Sequence, residues 1–406
     1  MSPRAADAAA TGSNRLRRKL VRRAAPDESQ RVRRMVQWIF VALNVWIGAQ
    51  FFLWVRGFEH SGQWLTVSRP AGVEGWLPIA GLMNLKYLLA TGHVPAIHPA
   101  AMFLLLAFLL MSVLLKKAFC SWLCPVGTLS EMLWKLGRRW FGRNVQVPLW
   151  LDRELRGLKY LLLGFFVVII GTMSAEALSG FMQTPYGLVA DVKMLNFFRT
   201  LGTVGLAVML ALVVFSVIVP QFWCRYLCPY GALMGLVSLV SPVKIRRDTE
   251  ACIDCGKCAK ACPSRLPVDR LVQIRSVECS ACMACVAACP VEHGLQLALS
   301  PRPAKQPNVI TLPAPGAAEP EMQARWRGRV LRPRVVAGLL AAIFFGTVLG
   351  ARVSGHWQTQ VPRSVYAWLV PHASEVSHPG VDGVGASGAT SGVEAPSVPA
   401  GIPATR

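Results

Sequence analysis

Long apolar stretches separated by basic segments dominate the chain. Five of them approach the roughly 20 residues that cross a bilayer as a helix. They are Met35–Val55, Ala100–Leu115 with its flanks, Leu158–Met173, Leu201–Pro220 and Val335–Gly350. Buried core helices of a large soluble protein are the alternative, but these stretches are too long, too uncharged and too numerous. The pattern predicts a mainly α fold, a polytopic helical membrane protein with about five transmembrane helices.

The basic residues predict the orientation of these helices. They concentrate before Met35, in the loop 116–159 and after Trp223, whereas the loops 56–98 and 176–199 hold few. Because basic loops stay in the cytoplasm, we expect a cytoplasmic N-terminus and a periplasmic C-terminus in a bacterial inner membrane. The formal charge of +22 is then mainly a topology signal. Nucleic-acid binding explains the charge less well, and no nucleic-acid partner is expected.

A repeated cysteine motif ends the second and the fourth apolar stretch. "FCSWLCPVGTLSE" begins at Phe119 and "WCRYLCPYGALMG" begins at Trp223, and both contain C-x3-C-P. Each copy closes an outward–inward helix pair, which indicates two repeated helical hairpins in parallel orientation. Such a repeat brings four cysteines toward one another at the cytoplasmic face. They are Cys120, Cys124, Cys224 and Cys228.

Three interpretations of these four cysteines remain open. They are small apolar residues at helix ends, a dithiol relay, or a shared site for a metal or a third cluster. Positions four apart lie on one helix face, near the upper distance limit for a disulfide, and the following proline indicates a helix break that would relieve this. Four thiolates suit iron–sulfur or another soft metal. We favour a redox role over packing, and the shared site over the relay.

Two further cysteine runs lie between residues 251 and 290. Each reads C-x2-C-x2-C-x3-C-P, the bacterial pattern for cubane clusters, in which the fourth cysteine of each run binds the other cluster. This pattern assigns the first 4Fe–4S cluster to Cys252, Cys255, Cys258 and Cys289. It assigns the second cluster to Cys279, Cys282, Cys285 and Cys262.

Other uses of these eight cysteines fit less well. Four-cysteine zinc sites also contain CxxC pairs, but two complete tandem runs favour iron. Disulfides are disfavoured because the segment faces the reducing cytoplasm. We therefore expect an inserted bacterial-type two-cluster ferredoxin domain with an α+β fold.

The remaining polar residues give weaker signals. No C-x-x-C-H occurs and no histidine lies in the middle of a span, so no haem is expected. Glu74, Glu176 and Asp191 could accept quinol protons at the outer face, but solvated surface charge is the simpler role, and His98 likewise is placed outside. The apolar segment 69–92 is interrupted by glycine and proline. It is typical of an interfacial or re-entrant half-helix that could wall a quinol pocket.

These signals divide the chain into six segments. They are a basic cytoplasmic tail at 1–34, a four-helix membrane domain at 35–240, the ferredoxin domain at 241–300, a Pro/Ala-rich linker at 301–333, a fifth transmembrane helix at 334–352 and an extracytoplasmic flexible tail at 353–406.

The four cysteine motifs on this framework resemble one known family. A C-x3-C-P after the second and fourth spans, followed by a two-cubane segment, is similar to the NapH/YccM-type membrane-bound polyferredoxins. This family of 4Fe–4S quinol dehydrogenase and electron transport proteins is related to the membrane part of NosR and to CcoG. The resemblance covers roughly Met35 to Leu299. The fifth span departs from the shortest NapH-type proteins. From this sequence we expect neither the flavin-binding domain that NosR has before its first span nor the domain that CcoG has after its last span.

The resemblance implies membrane electron transfer between the quinol pool and a respiratory reductase or another redox partner protein. The chain is then a candidate quinol dehydrogenase component. Two other classes stay open: an assembly factor that reduces a metal or disulfide for another enzyme, and a regulatory membrane scaffold. Oxidation of quinol at the outer face would require electrons to cross a core of about 30 Å, and no cofactor ligand is visible inside it.

Overall fold

A computed structural model describes residues 24, 26–60, 67–249, 251–299 and 329–378. Most of the predicted basic tail, most of the predicted linker and the end of the C-terminal tail lie outside these residues. The described chain is built mainly from helices, with one two-stranded sheet.

The elements follow one another along the described chain. The helices are α1 (Ser29–Glu59), α2 (Pro78–Thr91), α3 (Pro99–Leu115), α4 (Ala118–Trp122), α5 (Pro125–Phe141), α6 (Leu149–Thr172), α7 (Ala175–Gln183), α8 (Pro185–Leu188), α9 (Ala190–Arg199), α10 (Thr203–Ile218), α11 (Pro229–Val237), α12 (Lys257–Ala261), α13 (Ala284–Ala287), α14 (Pro333–Val353) and α15 (Arg363–Leu369). Short 3-10 or π turns occupy Ala71–Trp76, Trp223–Leu227 and Ser238–Val240. The strands are β1 (Val243–Arg247) and β2 (Leu295–Leu299).

Three helices of the described chain are long and apolar enough to cross a membrane, namely α1, α6 and α14. Helices α9 and α10 reach this length only together, and they are bent by 83° at their break. Helix α3, the second predicted span, has 17 residues, the lower end of the spanning range. The structure therefore gives a membrane protein with three or four spans by length, whereas the apolar pattern predicts five.

Helix α3 lies at the centre of the bundle. It begins with a proline, which suits the first helical position because its missing N–H has no partner there anyway. Small and flexible side chains such as Ala100, Ala107 and Met111 are fully buried where α3 packs against α2, α11 and α14. This core continues into the ferredoxin segment through Met234 and Ile245.

A second core lies around the far end of α1. Trp54 packs there with Leu178 and Val192, and α15 inserts Tyr366 edge-on against Trp54 at 5.1 Å. The prediction of a flexible tail from residue 353 is therefore wrong as far as residue 378. Apolar side chains of α15 are buried, because they cover the C-terminal end of α1 and the short helices.

The two strands close the ferredoxin segment. They pair antiparallel, with Val243 opposite Leu299 and Arg247 opposite Leu295. Val243 and Ile245 point inward in the alternation expected of a half-buried strand. The short helices α12 and α13 each contain the third cysteine of one run.

The start of α1 packs against the same segment. The Gln30 amide donates to the carbonyl oxygen of Cys282 at 2.9 Å, and the Ala24 N–H donates to that of Pro290 at 3.0 Å. Residues 29–34, predicted as part of a basic tail, are instead the first turns of α1, with Arg33 only 2% exposed. The N-terminal end of the bundle and the ferredoxin segment therefore lie together.

Candidate functional site: three cysteine sets in series

Two small cavities in the ferredoxin segment each gather four cysteines. One is lined by the set predicted for the first cluster, Cys252, Cys255, Cys258 and Cys289. The other is lined by the set predicted for the second cluster, Cys262, Cys279, Cys282 and Cys285. In each cavity, three cysteines come from one run and the fourth from the other run.

The loops around these cavities share an unusual backbone. Asp254 and Gly256 flank Cys255 with φ of +51° and +65°, and Ala281 and Met283 flank Cys282 with φ of +50° and +57°. Left-handed conformations are costly for residues other than glycine and persist where the surroundings demand them. The repeated pattern curls each C-x2-C-x2-C loop around its cavity.

The first cavity also leaves space beside a sulfur. A Cβ added at Gly294 would lie 3.1 Å from the Cys289 sulfur, tighter than nine in ten real Cβ contacts. In the described part of the chain, no three His, Cys, Asp or Glu side chains converge on a point that could hold a single metal ion. A cubane cluster does not require its ligands to converge on one point, because each of its four thiolates binds a different iron atom. These cavities fit such clusters.

The four C-x3-C-P cysteines line one cavity. Cys124 and Cys228 occupy the N-cap positions of α5 and α11, and the following prolines are the first residues of those helices. The helix break predicted at each proline is confirmed. Proline is favoured at this position because it needs no hydrogen bond from its nitrogen.

The glycines two residues after these prolines lie at the same helix starts. The Gly231 N–H donates to the Cys228 sulfur at 3.2 Å. A Cβ at Gly127 would lie only 2.2 Å from the carbonyl oxygen of Cys120. Both motifs therefore share a helix that starts at the proline, but only Gly127 is required by a close approach to the preceding cysteine.

Burial controls the protonation of these thiols. It raises the pKa of Cys120 to about 11, although the nearby Lys117 ammonium opposes the shift. It raises the pKa of Cys124 to about 12, and that of Cys224 lies well above its ordinary value for the same reason. Without a metal these thiols are protonated at neutral pH, whereas metal binding would displace the protons.

Residues inside the motifs bond directly to the loops of the second ferredoxin cavity. The Ser121 hydroxyl donates to the Ser280 carbonyl at 2.6 Å, and the Trp122 indole N–H donates to that of Ala281 at 3.1 Å. From the other motif, Arg225 donates to the Pro263 carbonyl at 3.2 Å. The three cysteine sets therefore lie in series. The C-x3-C-P set adjoins the second ferredoxin set, and the first ferredoxin set carries an exposed cysteine.

Two buried ion clusters fix the motifs in place. Arg33 binds both carboxylate oxygens of Glu131 at 2.6 Å and donates to the Ser121 carbonyl at 3.1 Å. Burial opposes ionisation of Glu131, but the hydrogen-bonded Arg33 outweighs it and lowers the pKa of Glu131 to about 2. Asp152 on α6 accepts from Arg225 and Tyr226 at 2.8 and 2.6 Å.

The cavity beside the C-x3-C-P cysteines has a volume of about 520 Å³. Phe40, Phe108 and Tyr230 give it aromatic walls, and Arg69 and Trp76 lie on its lining as well. Leu104 and Phe108 of α3 also line this cavity, which extends from Arg69 to the four cysteines.

A buried ionic cluster adjoins the far end of this cavity. Arg69 binds Glu74 at 2.7 Å and Asp191 at 2.6 Å, and His98 contacts Glu74 at 3.3 Å. Glu74, His98 and Asp191 are fully buried, so the interpretation of these three as solvated groups is wrong. Ion pairing to Arg69 compensates their burial. Glu176 is exposed, as predicted.

Sequence reasoning missed Arg69 as the centre of this cluster. The sequence did contain a signal for this cluster, because Arg69 lies in an otherwise apolar segment, five residues before Glu74. Its second partner lies 122 residues away, which no local pattern reveals.

Comparison with known proteins places these sites in a family. A family model described as a 4Fe-4S binding domain matches twice, at residues 97–144 and 201–248, and each match contains one C-x3-C-P motif. A model described as a 4Fe-4S dicluster domain matches residues 244–290. YccM of Escherichia coli (strain K12), provisionally named an electron transport protein, is 50% identical over 346 residues, 85% of this chain and 91% of YccM. The chain belongs to the NapH/YccM-type polyferredoxin family.

Other polyferredoxins of this type match shorter stretches. The ferredoxin-type protein NapH of Escherichia coli (strain K12) is 28% identical over 256 residues, 59% of this chain and 83% of NapH. The regulatory protein NosR of Pseudomonas aeruginosa (strain PAO1) is 31% identical over 199 residues, 45% of this chain and 25% of NosR. No solved structure matches this polyferredoxin. The double match at 97–144 and 201–248 supports the internal repeat.

Proposed function

We propose that this polyferredoxin transfers electrons in the membrane from quinol to a redox partner protein. One observation carries the proposal: a single cavity of about 520 Å³ joins aromatic walls to the four C-x3-C-P cysteines. The 4Fe-4S domain matches at residues 97–144, 201–248 and 244–290 and the electron-transport name of YccM support it.

The ferredoxin segment holds two cubanes in this proposal. Cys252, Cys255, Cys258 and Cys289 bind one, and Cys279, Cys282, Cys285 and Cys262 bind the other, as the two cavities group them. When bound, such clusters accept and release single electrons. The exposed Cys255 marks the side on which a redox partner would approach.

The C-x3-C-P cysteines hold a third iron–sulfur group in this proposal. Their placement at two helix starts, with Gly231 N–H donating to a sulfur, suits thiolate ligands. A dithiol relay is less favoured, because such chemistry needs a reactive thiolate and burial raises the pKa of Cys120 and Cys124. The 4Fe-4S domain matches that contain both motifs favour iron–sulfur over another metal.

The large cavity takes the quinol. Its volume lies within the roughly 300–1,000 Å³ typical of small-molecule sites, and Phe40, Phe108 and Tyr230 offer flat apolar surfaces to a ring. A ring bound at the cysteine end would deliver electrons beside Cys120 and Cys224. No further cofactor is then needed across the bilayer core of about 30 Å.

We infer the orientation from charge and contacts together. Basic segments favour a cytoplasmic position for the N-terminus, and Gln30 bonds to the ferredoxin segment, so that segment is cytoplasmic too. The bent pair α9–α10 and the shorter α3 also cross in this proposal, which gives five spans and a periplasmic C-terminus.

Metal analysis of cysteine variants tests the third group. The wild-type chain should hold about 12 iron atoms, and a variant with Cys120→Ser and Cys224→Ser about eight, with both ferredoxin EPR signals retained. Quinol-dependent reduction should be lost in the variant. If the variant keeps its iron but loses quinol-dependent reduction, the cysteines act as a dithiol relay and not as ligands of a third group. If both iron content and reduction are unchanged, the cysteines serve only in packing.

A blocked cavity tests the quinol site. Val348 on α14 lines the cavity, and Val353 on the same helix is 81% exposed. Val348→Trp should slow reduction by quinol but not by dithionite, and Val353→Trp should change neither. Equal quinol rates in the two variants would argue against this cavity as the quinol site.

A further inference from the structure

Two adjacent lysines lie buried between the C-x3-C-P set and the second ferredoxin set. Lys116 is 1% exposed and Lys117 is 5% exposed. Lys116 ends α3 with a left-handed backbone, φ +62°, and its N–H donates to the Ser241 hydroxyl at 2.9 Å. This fixed turn places consecutive lysine side chains in the interior, where lysine is seldom fully buried unless paired.

Lys117 faces the C-x3-C-P cysteines. It lines their cavity, and a Cβ added at Gly231 would lie 3.5 Å from the Cys228 sulfur and 3.6 Å from Lys117 Nζ. Its charge acts on Cys120 and also on Cys279 of the neighbouring set. Lys117 therefore stands between two predicted iron–sulfur positions.

Lys116 faces the second ferredoxin set. Its Nζ is buried and has no hydrogen-bond partner among the described residues, and the thiol with which its charge interacts is Cys279. The contrast with Lys159 is direct, because that buried ammonium binds both oxygens of Glu278 at 2.6 and 2.7 Å. Among the described residues, no carboxylate binds Lys116 in this way.

A buried ammonium without an anion nearby is unfavourable. Burial accordingly lowers the pKa of Lys116, whereas the charge of Lys117 also acts on the Glu278 carboxylate. Four thiolates around an iron–sulfur group supply net negative charge, and net charge is one determinant of its reduction potential. Resting on the proposed function, we propose that Lys117 and Lys116 compensate this charge and raise the reduction potentials, Lys117 at the C-x3-C-P set and Lys116 at the second ferredoxin set. Low local polarity makes each charge effective, since little water screens it.

Redox titration of the full-length protein, followed by EPR, tests this proposal. Lys117→Met should move the midpoint potential of the C-x3-C-P group to more negative values, and Lys116→Met that of the second ferredoxin group. Lys117→Arg and Lys116→Arg should stay near wild type. Lys257→Met is the matched control, because Lys257 adjoins Cys258 in the chain but is exposed, so solvent screens its charge.

Iron content is measured beside each titration. Unchanged midpoints in both methionine variants would overturn the proposal, as would arginine variants that shift as far as the methionine ones. If a methionine variant does not bind iron, the glutamine variant at that position is titrated instead. An unchanged midpoint potential in the glutamine variant would also overturn the proposal. A wild-type chain with only about eight iron atoms would remove the third group, yet leave the Lys116 arm testable.

Discussion

The two glycines of the C-x3-C-P-x-G motifs offer a paired test of the site geometry. Gly127 and Gly231 hold equivalent positions in α5 and α11. A Cβ at Gly127 would meet the Cys120 carbonyl oxygen at 2.2 Å, whereas at Gly231 its nearest neighbour, the Cys228 sulfur, lies at 3.5 Å. The same substitution therefore creates a backbone clash in one motif and an ordinary contact in the other.

The magnitude follows from the space available. Real Cβ atoms essentially never approach another heavy atom below 3.0 Å, so Gly127→Ala must push the α5 start away from Cys120. Such overpacking typically costs about 1–3 kcal/mol. Gly231→Ala should instead gain up to about 1 kcal/mol, because alanine favours a helix more than glycine does.

Iron analysis, EPR and thermal unfolding of the purified variants measure both effects. Gly127→Ala should lower the Tm and lose iron from the C-x3-C-P group, with the two ferredoxin signals intact. Gly231→Ala should keep all iron and a Tm at or above that of wild type. Equal iron content and equal Tm in the two variants would refute the close approach of α5 to Cys120.

Further predictions concern the ion clusters and the topology. In the folded protein the pKa of Glu131 is about 2, below its ordinary value. The ionised carboxylate should therefore stabilise the fold by about 3 kcal/mol above pH 4.5, and this stabilisation should be lost as the pH falls toward 2. The Tm difference between wild type and Glu131→Gln should shrink over the same pH range. Arg69→Met should cost about 3–5 kcal/mol of unfolding free energy, because it removes the cation that the buried carboxylates Glu74 and Asp191 share. Arg199→Met, which breaks a partly exposed pair with a single carboxylate, should cost at most about 1 kcal/mol by the same denaturation assay. A GFP fusion at Asp248 should fluoresce and an alkaline phosphatase fusion after Arg406 should be active, whereas phosphatase activity at Asp248 would reverse the orientation.

Much of the candidate site could be predicted from the spacing of residues a few positions apart. The cysteine runs predicted two groups of four, and the structure gathers the same groups in two cavities. The proline after Cys124 predicted a helix break, and α5 begins there. Because such features depend only on residues a few positions apart, a single sequence is enough to predict them.

Features made by distant residues were not predictable in the same way. Apolar composition alone did not reveal the 83° bend between α9 and α10. The burial of His98 depends on Arg69 and on Glu74, and that of Asp191 on an arginine 122 residues earlier. Likewise, the Gly- and Ser-rich composition near the C-terminus obscured the apolar face of α15, whose Tyr366 finds its partner Trp54 in the first helix.

The contacts between α1, the first motif and the ferredoxin loops set an order for biosynthesis. Gln30 can form its hydrogen bond only after Cys282 has been synthesised, 252 residues later. Ser121 likewise needs Ser280, 159 residues later. A nascent chain emerges from its N-terminus, so the membrane half is synthesised while the C-x3-C-P cysteines still lack the loop that covers them. Contacts of such long sequence separation form late in folding. If these cysteines hold the proposed third iron–sulfur group, this interval is when they are most accessible for its insertion.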